Sequence, residues 1–205
     1  MRCRAMIYRT ARKRGQGFSL IELVIAVSIV MILAAVFTPL VSNAVSGVKL
    51  RYSATDLSGL MQKARIQAAS KNTFYSIEQT TPSAGVVTYY VDLSKNNTFA
   101  AGDPLVEMGN QVNVHFGTGS GAPNEATFAA GLNFAPVSTG VPPKFNARGL
   151  PCLPAGGTCP QIPGQGFICF LSRNTRLGTA WASVVVTPSG RVQVWSYDGT
   201  SWGQI

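Results

Sequence analysis

An uncharged stretch of 26 residues, 23–48, constrains what this chain can fold into more than any other feature of its sequence. A single acid, Glu22, stands directly before the stretch. Because about 20 apolar residues are enough to cross a bilayer as a helix, the stretch predicts a membrane-spanning segment at residues 18–41. A carboxylate at the edge of such a span costs on the order of 2–3 kcal/mol. Glu22 therefore needs an explanation beyond simple anchoring.

The residues that precede the predicted span are strongly basic. Residues 1–17 contain six Lys or Arg and no acid, whereas the rest of the chain has eleven basic and eight acidic residues. Lys and Arg beside a span stay on the cytoplasmic side of the membrane. We therefore expect a cytoplasmic N-terminus and an exported C-terminal part. The formal net charge of +9 thus reflects membrane orientation more than nucleic-acid binding.

The junction between the basic leader and the apolar run has a specific sequence, Gly17-Phe18-Ser19-Leu20-Ile21-Glu22-Leu23. Together with its context, this junction closely resembles the prepilin signal of type IV pilins and type II secretion pseudopilins. In that family a membrane peptidase cuts after the glycine and methylates the new N-terminal Phe. The resemblance therefore implies cleavage between Gly17 and Phe18 and N-methylation of Phe18. It also implies that Glu22 neutralises the N-terminus of a neighbouring subunit during assembly.

Two other interpretations of this segment remain open. A secretory signal peptide also joins a basic region to an apolar core, and Ser42-Asn43-Ala44 could serve as its cleavage site, although its core is usually only about 7–15 residues long. A single-span anchor of a separate binding domain explains the length and the basic flank, but it does not explain Glu22. The N-terminal residue of the mature protein distinguishes the three, because it would be Phe18, Val45 or the original Met1.

Residues 18–72 are predicted to form one long helix. Beyond the span, apolar residues recur at steps of three and four, which places them along one side of a helix. This stripe consists of Val41, Val45, Val48, Tyr52, Leu57, Leu60, Met61, Ala64 and Ala68. We expect the stripe to pack against a sheet and Lys71-Asn72 to end the helix.

Residues 73–205 are predicted to form a β-rich globular domain. Alternating or β-branched and aromatic residues between turn signals predict strands at 73–79, 85–93, 111–116, 166–172, 180–187 and 191–197. Pro188-Ser189-Gly190 predicts a hairpin connection between the last two. No helical period recurs after the first third of the chain. The sequence therefore predicts an α+β fold, in which the long N-terminal helix packs on a C-terminal antiparallel β-sheet.

Three cysteines remain once the leader, with Cys3, is removed. Export permits disulfides, and a Cys152–Cys159 bond would close a short loop within the Pro- and Gly-rich segment 145–166. Cys169 lies in an apolar run where a buried free thiol is common, although a Cys152–Cys169 bond remains open. Three cysteines without a CxxC pair are a poor zinc ligand set.

Several segments beyond the span resemble the GspH/FimT subgroup of this family. They are residues 50–57, 64–72 and 90–103, Phe145-Asn146-Ala147-Arg148-Gly149, and Ser189-Gly190-Arg191-Val192. Members of the subgroup are minor pilins or minor pseudopilins, which are low-copy subunits that prime assembly or lie near the filament tip. The resemblance implies this role for the chain, first in the bacterial inner membrane and then in a type IV pilus or type II secretion pseudopilus. Its expected partners are prepilin peptidase, other pilin subunits, an inner-membrane assembly platform and membrane lipid.

Some FimT-like members bind DNA during natural transformation through a Gly-Arg-x-Arg element. In this chain Gly190-Arg191-Val192-Gln193 keeps the first arginine and lacks the second. Residues 144–205 nevertheless contain five basic residues and one acid, interleaved with aromatics. Arg173, Arg176 and Arg191 are the candidate DNA contacts, because phosphates attract arginine and bases stack on aromatic rings. The alternative is that the tryptophans belong to the core and the arginines form a solvated face.

Two remaining features of the sequence bear on metal binding and catalysis. Asp92-x-Ser94-x-Asn96, with Asp103 in the twelfth position, resembles a calcium loop but lacks its turn glycine, so an Asn-rich hairpin tip is the better interpretation. His115 is the one histidine of the chain, and its alternation with apolar neighbours predicts an exposed side chain. No acid–base pair, nucleophile motif or phosphate loop accompanies it. We therefore expect no enzymatic activity, no cofactor and no bound metal.

Overall fold

The computed structural model describes residues 19–81, 86–175 and 178–205. The leader, the Gly17–Phe18 junction and Arg176 lie outside these residues. The chain divides into two compact units, Met1–Leu40 and Val41–Ile205. The predicted α+β architecture is confirmed, because a long N-terminal apolar helix is followed by a C-terminal antiparallel β-sheet domain on which its second half packs.

The long helix, α1, extends over Leu20–Ser70, within two residues of its predicted limits. Among the described residues it is the one helix long and apolar enough to cross a membrane by length and composition. Its C-terminus closes with a left-handed Asn72 (φ 48°), which lets the Thr73 N–H donate to Ala68 O at 3.0 Å. This pattern is a Schellman motif. It explains why the helix ends at Lys71-Asn72 as predicted.

Ten strands and a second helix, which is short, follow α1 within the described ranges. In chain order they are β1 Tyr75–Thr80, β2 Thr88–Asp92, β3 Leu105–Glu107, β4 Val112–Phe116, α2 Glu125–Gly131, β5 Ala135–Pro136, β6 Lys144–Phe145, β7 Gln165–Thr175, β8 Gly178–Val186, β9 Val192–Tyr197 and β10 Trp202–Gln204. Strands occur in all six predicted segments. The four short strands β3, β5, β6 and β10 and the helix α2 were not predicted.

The strands form two sheets, where a single sheet was expected. The first has the order β3-β2-β1-β6, and the second has the order β10-β9-β8-β7-β4, with β5 added to β7 in parallel. All other pairings are antiparallel. The β8–β9 connection is the predicted hairpin, because the Thr187 N–H donates to Arg191 O at 2.9 Å across Pro188-Ser189-Gly190.

Helix α1 packs over both sheets and completes one large core. The buried helix residues are Leu50, Ala54, Leu57, Leu60, Met61, Ala64 and Ala68, and they join Ile77 and Val91 of the first sheet and Leu171 and Val184 of the second. The predicted stripe is therefore correct from Leu57 onward. It is wrong before that point, because Val41, Val45, Val48 and Tyr52 are all exposed. The buried face begins with Leu50 and Ala54 instead.

The second sheet is covered on both of its faces. Successive side chains of a strand point to opposite faces, so Cys169 and Leu171 of β7 join the α1 core while Ile168 and Phe170 join a second cluster. Phe128 of α2 packs in that second cluster, with Trp181, Trp195 and Trp202 at its edge. Although no helical period recurs after the first third of the sequence, the short helix α2 is present there.

Candidate functional site

Glu22 lies in the first turn of α1, where it is exposed. The hydroxyl groups farther along this part of the helix are satisfied locally, because Ser28 Oγ donates to Val24 O at 2.8 Å and Thr38 Oγ1 donates to Ala34 O at 2.6 Å. A carboxylate has no proton to donate in this way. Glu22 is the one ionisable side chain among residues 20–48, and its position in the first turn of the helix is favourable for a negative charge.

A row of exposed apolar side chains lies at the start of the globular unit. Val41, Val45, Val48 and Tyr52 are 59%, 45%, 50% and 67% exposed, respectively. Their spacing of four, three and four residues places them along one side of α1. Four exposed apolar side chains in a row form a patch of the kind that marks an interaction site. We call these four residues the apolar stripe.

Two of the three arginines predicted as DNA contacts, Arg173 and Arg191, are described by the structure, and they differ in exposure. Arg173 is half-buried at the α1-facing end of β7, near Gly109 and Ser53, and its Nε and Nη1 atoms are buried without a hydrogen-bond partner in the described residues. Arg176 lies outside the described residues. Arg191 is exposed. Arg173 therefore does not suit contact with DNA, because it follows Cys169 and Leu171 on the face that α1 covers.

Another set of arginines, which shares Arg191 with the first, lies at or next in sequence to the contact between Gly149 and Gly190. A Cβ atom on Gly149 would lie 3.2 Å from Arg65 Nε, and one on Gly190 would lie 3.3 Å from the same atom. Arg65 and Arg148 line a cleft of about 620 Å³, and Arg191 directly follows Gly190. We call Arg65, Arg148 and Arg191 the arginine cluster. Its members make no ion pair within the described residues, whereas Lys144, also among the basic residues of the C-terminal region, lies 3.5 Å from Glu78.

The Asp92–Asp103 segment forms the connection between β2 and β3. Asp92 accepts hydrogen bonds from the N–H groups of Lys95 at 2.7 Å and Asn97 at 2.8 Å, and Asp103 accepts from Ala100 at 2.9 Å. Both carboxylates are buried and hold the backbone of the loop. Among the described residues, no group of three or more His, Cys, Asp or Glu side chains could hold a metal ion.

The remaining candidate residues are also placed by the structure. His115 is half-buried rather than exposed, and its Nε2 lies 3.3 Å from Thr118 O, because the segment after β4 folds back over it. Cys152 is bonded to Cys159 within the loop before β7. Cys169 is a free buried thiol, and burial raises its pKa above the ordinary value.

Sequence reasoning missed one surface feature, an aromatic pocket between α2 and the β9–β10 hairpin. Its volume is about 550 Å³, and its walls include Phe128, Trp195 and Trp202. The interleaving of tryptophans with polar residues after position 180 was the available signal. It could not indicate a pocket, because the opposite wall comes from the unpredicted helix α2.

Comparison with known proteins supports the class that the helix and its N-terminal acid define. Residues 12–38 match the family model described as the prokaryotic N-terminal methylation motif. The chain is also 28% identical over 144 residues to the pilin-like protein PilA1 of Thermus thermophilus, an alignment covering 70% of this chain and 83% of that protein. No solved structure matches the chain. The motif and the relative together support a type IV pilin-like protein.

This class carries three general consequences. Pilin-like proteins interact with other pilin subunits and are processed by prepilin peptidase. They are structural subunits and are generally not enzymes. The motif, together with the apolar N-terminal helix, indicates a membrane-anchored pilin.

Proposed function

We propose that this protein is a minor pilin or minor pseudopilin, a low-copy structural or priming subunit of a type IV pilus or a type II secretion pseudopilus. The proposal rests on the position of Glu22 within the family motif. The methylation motif at residues 12–38 includes Glu22 in the first turn of α1 and much of the apolar segment that follows. A simple membrane anchor would not require a glutamate at this position.

In the proposed mechanism, prepilin peptidase cuts between Gly17 and Phe18 and methylates Phe18. The mature helix then waits in the bacterial inner membrane with its N-terminus toward the cytoplasm and its globular domain in the periplasm. The assembly platform extracts it, and apolar contacts with neighbouring helices replace contacts with lipid. Glu22 pairs with the N-terminus of a neighbouring subunit, because an unpaired carboxylate in such a dry environment is costly. This pairing sets the register of the subunit.

The apolar stripe supports the same proposal from within the globular unit. Val41, Val45, Val48 and Tyr52 are exposed, although they continue the helix that the sheets cover from Leu50 onward. Exposing a row of apolar side chains to water is unfavourable, by about 25 cal/mol for each Å². We propose that helices of neighbouring subunits cover the stripe in the filament.

The variant Glu22→Ala tests the role of the acid. We expect it to insert into the membrane and to lose its leader, but to be incorporated into filaments at a level several-fold below that of the unaltered protein. The matched control is Ser28→Ala, which removes a polar group that is already bonded within the helix. Membrane fractions and sheared filaments are compared by immunoblot. Incorporation of Glu22→Ala at the control level would contradict the mechanism.

Processing is tested separately in cells that contain a prepilin peptidase. Mass spectrometry of the mature protein should show a chain that starts at Phe18 and carries one added methyl group. A chain that starts at Val45 would indicate a secretory signal peptide. A chain that retains residues 1–17 would indicate a plain anchor.

We further place the chain in the GspH/FimT subgroup. Two of the segments that carry this resemblance meet in space, because Gly149 and Gly190 both contact Arg65 of α1. Gene deletion distinguishes the two candidate machines. Loss of pili or of DNA uptake indicates a type IV pilus subunit, whereas loss of exported enzymes with intact pili indicates a pseudopilin.

DNA binding is a second candidate function, which the arginine cluster favours. Arg65, Arg148 and Arg191 come from three different segments of the chain, and no acid pairs with them in the part of the chain that the structure describes. A cluster of this kind suits the phosphates of a nucleic-acid backbone. In this proposal Arg65 and Arg148 replace Arg173 among the contacts, and Arg191 is retained.

A salt titration of duplex DNA binding tests this second function. For each phosphate contact removed, the slope of log affinity against log salt should fall by about 0.9. The variants are Arg65→Gln, Arg148→Gln and Arg191→Gln in the full processed chain. The control is Arg51→Gln, an exposed arginine on α1 that does not line the cleft. Equal slopes for all four variants, or no binding at low salt, would exclude the cluster as a DNA site.

A further inference from the structure

The aromatic pocket between α2 and the β9–β10 hairpin shares no residue with the apolar stripe or the arginine cluster, and the proposed assembly mechanism does not use it. Its lining residues are Asn124, Thr127, Phe128, Gly131, Leu132, Trp195, Thr200, Ser201 and Trp202. The partly exposed rings of Trp195 and Trp202 provide apolar walls beside the buried ring of Phe128, and four amide or hydroxyl side chains provide hydrogen-bonding groups. Among the described residues that line it, none is ionisable. The volume of about 550 Å³ falls in the range of small-molecule sites.

The rings that form the walls are held in fixed positions. Phe128 stacks on Trp202 with ring centroids 4.7 Å apart, and it meets Trp195 edge to face at 5.4 Å. The indole Nε1 of Trp202 donates to Pro123 O at 2.8 Å, which ties the hairpin to the segment before α2. The amide of Asn124 donates to Thr200 O at 3.4 Å. The pocket is therefore preformed, which lowers the ordering cost of binding.

The polar groups of the rim are also positioned. The Asp198 carboxylate accepts hydrogen bonds from the N–H groups of Thr200 at 2.8 Å and Ser201 at 2.7 Å. This arrangement fixes the turn that presents both hydroxyl-bearing residues. The Nε1 atom of Trp195 is not part of this set, because it is buried, without an acceptor within the described residues.

The residues that line the pocket do not suit a polyanion. Single-stranded nucleic acid combines stacking with cations that track its phosphates, and none of the described residues that line this pocket is a cation. Asp198, in the turn that contributes Thr200 and Ser201, adds a negative charge nearby. A ligand for this pocket must present flat apolar faces for the rings and uncharged hydrogen-bonding edges for the rim.

We propose that the pocket binds a neutral oligosaccharide. The C–H faces of a pyranose ring are apolar and suit the tryptophan rings, whose amphipathic character allows contact with an apolar body beside a wet edge. The ring hydroxyls are both donors and acceptors, and they match the amide of Asn124 and the hydroxyls of Thr127, Thr200 and Ser201. This activity would be carried by the exported globular unit and does not depend on the proposed assembly mechanism.

The experiment uses the full processed chain in a zwitterionic detergent that has no sugar headgroup. The probes are cellohexaose, chitohexaose and maltohexaose at millimolar concentrations, and binding is followed by saturation-transfer NMR and calorimetry. We expect at least one of the three to bind, with saturation transfer to the C–H protons of its rings. Oligo-dT is titrated in parallel and should not compete.

Matched variants on α2 distinguish the pocket from the rest of the surface. Thr127→Trp fills the pocket from an exposed position and should lower the affinity at least tenfold. Ala130→Trp adds the same side chain at an exposed position of the same helix that does not line the pocket, and should leave the affinity unchanged. Asn124→Ala should lower it several-fold. Circular dichroism confirms that each variant is folded.

Three results would overturn the proposal. The first is that none of the three oligosaccharides binds. The second is that Ala130→Trp weakens binding as much as Thr127→Trp. The third is that oligo-dT displaces the sugar, which would indicate a nucleic-acid site. None of these results bears on leader cleavage or on Glu22, so failure here is distinguishable from failure of the proposed assembly function.

Discussion

Gly190 and Gly149 pack so closely that a Cβ atom on Gly190 would overlap the carbonyl oxygen of Gly149. Both glycines are left-handed, with φ of 78° and 71°, and Arg65 of α1 lies against both. The β8–β9 hairpin and the loop after β6 therefore meet backbone to backbone, and the Arg65 side chain near the end of α1 lies against both. The two sequence segments that resemble the GspH/FimT subgroup at their glycines are in contact here.

The variant Gly190→Ala should destabilise the globular unit through both overlap and backbone strain. A left-handed non-glycine residue costs about 1–2 kcal/mol, and displacement of the loop after β6 adds to this cost. Gly140→Ala is the matched control, because Gly140 has a similar φ of 81° but open space where its Cβ would lie. Urea denaturation should show a larger loss for Gly190→Ala. Equal losses would mean that the close contact contributes nothing.

The boundary between the exposed and buried parts of α1 gives a second prediction. Leu57 is fully buried, whereas Tyr52 is 67% exposed. Leu57→Ala should reduce the free energy of unfolding by about 2–5 kcal/mol through the cavity it leaves, and Tyr52→Ala should change it by no more than about 0.5 kcal/mol. Thermal denaturation measures both. A large loss for Tyr52→Ala would show that the apolar stripe stabilises the isolated chain.

The long helix and the longer strands could be predicted because their patterns repeat over many residues. A helix of 51 residues and a strand of eleven provide several periods each. The part of α1 that the sheets cover was misjudged for a physical reason. Periodicity identifies an apolar face but not its partner, so Tyr52 of the exposed stripe and Leu57 of the buried face appeared equivalent in the sequence.

The short elements could not be predicted, because they depend on tertiary contacts. Helix α2 has seven residues, fewer than an isolated helix needs to be stable. It is held by Phe128, which packs against Ile168 and Phe170 of β7 in the second cluster. β5 and β6 have two residues each and no visible alternation. The arginine cluster was missed for a similar reason, since Arg65 is far in sequence from Gly149 and Gly190 and only the folded chain brings it against both.

The third prediction concerns the cysteines, and its measurement is the number of alkyl groups that iodoacetamide adds to the chain. Burial raises the pKa of the Cys169 thiol, so iodoacetamide should not modify the native mature chain at pH 8. Denaturation without reductant should add one alkyl group, on Cys169, and denaturation with reductant should add three. Mass spectrometry distinguishes these states. Three groups without reductant would contradict the Cys152–Cys159 bond.

The raised pKa of Cys169 also predicts how the stability of the protein depends on pH in the alkaline range. The thiol has a raised pKa in the folded state, so its contribution is complete below the unfolded pKa of about 8.5 and decreases as the pH rises above it. Cys169→Ala should remove this component of the alkaline decrease, although it also leaves a small cavity. An unchanged alkaline slope in the variant would contradict the assignment.

Asp198 gives a fifth prediction, in the acid range. Its pKa lies below the ordinary value of 3.8 because the backbone N–H groups of Ser201 and Thr200 donate to its carboxylate. A depressed pKa means that the stabilisation of this turn is present above the unfolded pKa and is lost as the pH falls through the folded one. The amide NMR signals of Thr200 and Ser201 should therefore titrate with a midpoint below 3.8. Asp198→Asn should remove that titration while leaving the signals of Lys95 and Asn97, which bind Asp92, unchanged. A midpoint at or above the ordinary value would show that these two hydrogen bonds do not hold the turn beside the aromatic pocket.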